Sequence, residues 1–93
     1  MLDDFKIAES DNFSKKITGK EYNSVFKKIK TYIYPQLKEN PFFGLNIKKL
    51  KGNLSEIYRY RIRSFRIFYS IDMEKKIVFM LDIDKRKDSY RNK

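Results

Sequence analysis

The spacing of apolar residues changes partway along the chain and divides it into a helical half and a strand half. In the first half, Tyr22, Val25, Phe26, Ile29, Ile33 and Tyr34 follow the i, i+3, i+4, i+7 pattern of one helix face. This predicts a long amphipathic helix starting near Glu21. A shorter helix runs through Phe13 and Ile17, with Ser10, Asp11 or Asn12 as its cap and Gly19 expected at its end. Ahead of it, Phe5-Lys6-Ile7-Ala8 reads as a short strand. Pro35 has no N–H and crowds the preceding turn, so it should kink or end the second helix, while Leu37 still packs on the core. Asn40-Pro41 is a firm stop. From Phe42 to Asn53 the chain reads as a loop or short edge strand carrying Lys48, Lys49 and Lys51, with Gly52-Asn53 as a turn.

Beyond this point the period falls to two. Ile57 to Ile62, Phe65 to Ile71 and Lys76 to Ile83 read as strands, joined by Arg63-Ser64 and by Asp72-Met73-Glu74-Lys75. Such short links make an antiparallel meander. Helices followed by strands imply an α+β fold, and 93 residues imply a single domain over 1–93. The end of the chain, Asp84 to Lys93, is polar, with Tyr90 as its one aromatic.

Alternation assigns the strand faces. A two-residue turn at Arg63-Ser64 sets Ile62 opposite Phe65, Arg61 opposite Arg66, Tyr60 opposite Ile67 and Arg59 opposite Phe68. Arg59, Arg61 and Arg66 then cluster beside Phe68 on one face. Tyr58, Tyr60, Ile62, Phe65, Ile67, Tyr69 and Ile71 form a core on the other. Such a tight turn wants positive φ, which Arg adopts only at a cost; a longer turn would shift the pairing and flip the faces. Like charges directly opposed on a sheet destabilise it by up to ~1 kcal/mol per pair. An anion bound between them reverses that sign. Asp82 and Asp84 also share a strand face, with Lys85 and Arg86 nearby as expected salt-bridge partners.

Charge extends this picture. The chain has 22 Lys and Arg against 12 Asp and Glu, a net charge of +10. Between Gly44 and Arg66 stand seven basic residues and one acidic residue, a local +6. The pattern fits a polyanionic partner such as nucleic acid, and Arg suits phosphate through its planar fork of donors. The absence of Cys and His removes disulfides, thiol nucleophiles, His bases and zinc sites. The three glycines are dispersed, so no glycine-rich phosphate loop exists. No apolar run is long enough for a membrane span and the start lacks a signal-peptide core, so a soluble cytoplasmic protein is expected. Lys15-Lys16 and Lys27-Lys28 read most simply as a solvated helix face.

Five short segments together resemble the RelE/ParE toxin superfamily. They are Leu50-Lys51-Gly52, Tyr58 to Arg61, Phe65 to Tyr69, Lys85-Arg86 and Tyr90-Arg91. The resemblance implies an N-terminal strand and two helices packed on an antiparallel sheet that ends in a three-stranded meander. It implies the toxin of a toxin–antitoxin pair. RelE-like members are ribonucleases that enter the ribosomal A site and cut mRNA there by attack of the 2′-hydroxyl on the adjacent phosphate, without a metal or another cofactor. Carried over by position, the catalytic set is Arg59, Arg61, Arg66, Arg86 and Tyr90. Lys48, Lys49, Lys51, Phe68 and Arg91 would bind RNA. The partners implied are a cognate antitoxin, mRNA and the ribosome, with no membrane and no small molecule. The antitoxin is expected to be small, acidic or partly disordered, wrapping the helices and covering the Arg face.

The chain departs from the family pattern in places. Relatives often carry Lys where Arg59 and Arg61 stand, and Arg is too basic to accept a proton, which favours charge stabilisation there. Relatives often have Gly at the turn and His beside the late arginine, where this chain has Arg63-Ser64 and Lys85. Subfamilies that use a Glu–His pair are thereby excluded. A ParE-like inhibitor of DNA gyrase, and an inactive basic binding module, remain as alternatives.

Overall fold

The computed structural model describes residues 4–50 and 56–85. Strand β1 (Lys6–Glu9) leads into helix α1 (Asp11–Ile17). Ser10 caps α1, its hydroxyl accepting from the Phe13 N–H at 3.0 Å. The helix closes at Thr18, one residue before the expected stop. Gly19 is extended (φ −77°) and opens the next turn instead.

The second helical run is continuous from Lys20 to Glu39. It consists of a 3₁₀ turn (Lys20–Tyr22), α2 (Asn23–Lys28), a π turn (Ile29–Ile33) and α3 (Tyr34–Glu39). The π turn is how the helix survives Pro35. The Tyr34 N–H reaches back to the Ile29 carbonyl, and the wider turn accommodates the proline ring at the start of α3. Leu37 therefore stays on the apolar stripe with Val25, Ile29 and Ile33, and all four are fully buried.

A five-stranded sheet follows, in the order β1-β5-β4-β3-β2. Its later strands are β2 (Ile47–Lys49), β3 (Tyr58–Ile62), β4 (Phe65–Asp72) and β5 (Ile77–Lys85). Successive strands from β2 to β5 pair antiparallel, and β1 joins β5 in parallel. Short links enforce the first arrangement; the crossover through the helices permits the second. The helical layer packs on one face of the sheet. Its stripe meets Tyr60, Ile67, Tyr69, Val78, Met80 and Ile83 in a single core. Tyr60 and Tyr69 bury their rings there and hydrogen-bond outward, to Gln36 Oε1 and to the Pro41 carbonyl, each at 2.7 Å. Among the described residues no helix is long and apolar enough to cross a membrane.

Candidate nucleic-acid interface

The opposite face of the sheet carries the arginines. The β3–β4 register matches the one derived from alternation: Ile62 opposes Phe65, Arg61 opposes Arg66, Tyr60 opposes Ile67 and Arg59 opposes Phe68. The two-residue turn is real, and Arg63 takes up the strain with φ of 55°. Core complementarity decides this, because any slip would turn Tyr60 and Ile67 to solvent.

Two rows of side chains cross this face. One runs Arg61–Arg66–Asp84 from β3 to β5; the other runs Lys48–Arg59–Phe68–Asp82 from β2 to β5. Lys48 and Arg61 are exposed, Arg59, Arg66 and Phe68 are half-buried, and α1 reaches the Asp82 end of the second row. Lys49 does not join them. It opposes Tyr58, on the helix-covered side, and its ammonium lies 5.9 Å from that ring. Lys51, Arg86, Tyr90 and Arg91 lie outside the described residues, as does the Gly52-Asn53 turn. Of the ten site residues expected from the sequence, the sheet thus brings together Lys48, Arg59, Arg61, Arg66 and Phe68.

The acidic ends of both rows depend on an irregularity in β5. Phe68 opposes Asp82, but Tyr69 opposes Met80, so Leu81 is an extra residue in β5. The bulge reverses the alternation. Met80 and Ile83 both enter the core, and Asp82 and Asp84 fall in register with the open face. The expectation that Lys85 and Arg86 would hold these aspartates is corrected for Asp82, which binds Lys16 at 2.7 Å and Asn12 at 2.9 Å. These partners are in reach because β1 has ended and α1 covers the β5 edge there. Burial alone would raise the Asp82 carboxyl, but hydrogen bonds from Lys16, the Ile83 N–H and Asn12 hold it below the usual range. Asp84 accepts instead from Arg66 Nε at 3.1 Å. Sequence reasoning missed this pair; the only signal was the i, i+2 spacing of the aspartates, and the bulge that re-aims them leaves no pattern in the chain.

Burial pushes the hydroxyls of Tyr60 and Tyr69 above their ordinary range. Among the described residues, the open face offers positive charge and guanidinium donors.

Comparison with known proteins agrees with this architecture. The sequence pattern described as ParE toxin of type II toxin–antitoxin system, parDE, matches residues 20–90. A protein of Methanocaldococcus jannaschii, described as a candidate RelE1 toxin, is 32% identical over 73 residues, covering 78% of this chain and 73% of its own. The fold also superposes on solved structures at lower identity. The toxin–antitoxin complex RelBE2 of Mycobacterium tuberculosis gives a TM-score of 0.77 at 19% identity, over 92% of this chain and 95% of that one. The isolated E. coli RelE toxin gives 0.71 at 22% identity, over 94% and 92%. The α+β architecture, the arginine-bearing sheet face and the matched family pattern lead to one conclusion: the chain belongs to the RelE/ParE superfamily of type II toxin–antitoxin toxins.

Proposed function

We propose that this toxin is an endoribonuclease that cuts mRNA in the ribosomal A site, and that its open sheet face is the cleavage site. The observation that carries the reading is the opposition of Arg61 to Arg66, beside Lys48 opposite Arg59, on the sheet face opposite the core. This arrangement costs stability, and a bound phosphodiester offsets that cost. The RNA 2′-oxygen attacks the neighbouring phosphorus, the bond to the 5′-oxygen breaks, and a 2′,3′-cyclic phosphate and a 5′-hydroxyl result. Arg59, Arg61 and Arg66 stabilise the charge that grows on the phosphorane. Arg86 and Tyr90 complete the catalytic set, with Tyr90 serving in proton transfer. Lys48, Phe68, Lys51 and Arg91 contact the RNA, while Lys49 stands on the other side of the sheet. A cognate antitoxin neutralises the toxin; the RelBE2 complex supports this part of the reading.

Purified protein added to an in-vitro translation reaction should cut mRNA inside translated codons, mapped as new 5′ ends by primer extension. Cuts that persist without ribosomes would make it a free ribonuclease. Intact mRNA in both reactions would reject the reading. The match to the ParE toxin pattern favours one rival, inhibition of DNA gyrase. Under that rival, R66A would remain toxic and supercoiling by gyrase would fail.

A further inference from the structure

We propose that Asp84 is a positioning residue, which holds the Arg66 guanidinium so that its Nη edge receives the scissile phosphate. This inference rests on the endoribonuclease reading above. Arg66 stands on β4 between Arg61 on β3 and Asp84 on β5. Arg61 alone would drive the Arg66 side chain away from the face by repulsion. Asp84 supplies the opposing attraction and takes the Nε–H at 3.1 Å.

The geometry of that bond matters. A guanidinium presents five N–H donors in a rigid fork, and a carboxylate on Nε occupies one side of it. The Nη1–Nη2 edge stays available for a bidentate contact with two phosphate oxygens. Asp84 reaches this place only because the β5 bulge reverses the alternation after Met80. Asp82, its neighbour on the same side, is engaged by Lys16, Asn12 and the Ile83 N–H. Stability does not account for the Arg66–Asp84 pair. Its side chains are 36% and 41% exposed, and exposed ion pairs contribute little.

The proposal makes two quantities move in opposite directions. Removing Asp84 adds net positive charge to the face, so RNA affinity rises or holds. The guanidinium loses its orientation, so turnover falls. The test compares wild type, D84A and D84N as full chains. Steady-state cleavage in the translation reaction gives kcat and KM. The Arg66 Nε–Hε signal in nitrogen-15 NMR, assigned with R66K, reports the hydrogen bond with and without a 2′-deoxy oligonucleotide that cannot be cut.

In wild type the Nε–Hε signal should stand apart from the other arginines and persist when the oligonucleotide binds. In D84A it should collapse into the bulk envelope, with kcat down tenfold or more and KM unchanged or lower. D84N keeps an acceptor oxygen and should recover most of both. An unchanged Nε–Hε signal in D84A overturns the proposal. So does an unchanged or raised kcat in D84A, which would make Asp84 a competitor for Arg66, and so does a D84N variant as slow as D84A. If wild type cuts no mRNA, the endoribonuclease reading fails by itself. The NMR arm then decides alone whether Asp84 orients Arg66 toward a bound phosphate.

Discussion

At the β1–β5 end of the sheet, Lys30 meets Glu9 at 2.9 Å and Lys16 meets Asp82 at 2.7 Å, each pair joining a helix to a strand. At the β2–β3 end, the register sets Lys48 against Arg59 and Arg61 against Arg66. Both ends belong to one sheet and one core. The first uses charge to fasten the helical layer. The second sets like charges directly opposite one another on the face away from the core, with Asp84 drawing on Arg66 from the next strand. Opposite charges joined across layers fasten the fold, whereas like charges set opposite one another on a strand pair cost stability that a bound anion offsets.

The largest effect expected separates these roles. R66A should lower mRNA cleavage by roughly 100- to 1000-fold, the usual loss when one donor to a transition-state oxyanion is removed. Its melting temperature should stay near wild type, and a parallel fall in both would merge the two ends into one structural role. Leu37→Ala should do the reverse. Leu37 is fully buried behind the π turn, and its truncation should cost about 2–5 kcal/mol in denaturant unfolding, leaving per-molecule activity intact under folding conditions.

A smaller effect tests the paired end. The Tyr34 hydroxyl, Lys30 and Ser14 all donate to the Glu9 carboxylate. Burial raises that carboxyl, but these hydrogen bonds prevail and hold it below its ordinary value near 4.5. The folded state thus binds the Glu9 proton more weakly than the unfolded chain. The contribution is fully present above the ordinary value and is lost as pH falls through the depressed one. E9Q should be less stable at neutral pH and show a flatter acid limb in urea midpoints measured against pH.

The smallest effect sharpens the division at the other end. K48A should reduce the slope of log affinity against log salt for single-stranded RNA by about 0.7, the value of one phosphate contact. K49A should leave the slope unchanged, because Lys49 lies over Tyr58 on the helix-covered side. Equal effects would mean that RNA wraps the β2 edge instead of lying on one face.

How much of this could be read from the chain varies from element to element. The helix stripe and the three-strand meander were legible because each has one strong period and short connections. The Arg59–Arg61–Arg66 cluster followed from alternation alone, since the apolar partners of those arginines must all face the core. The end of α1 and the course of the chain at Pro35 were not so legible. Gly19 has an extended backbone and needs no positive φ, and a π turn, which leaves no signature in the apolar spacing, carries the helix past the proline.

The sequence by itself determined which residues are apolar at which period, and through that the α+β class, the core and the basic face of β3 and β4. These are local properties, written within one or two turns of chain. Only the tertiary structure decided that Lys48 and Lys49 part to opposite faces, that Glu9 gathers three donors and that Asp84 stands beside Arg66. Each of these depends on a pairing partner distant in sequence or on a bulge that shifts alternation by one. The free energy that selects them belongs to the assembled sheet and its helices, not to any segment alone.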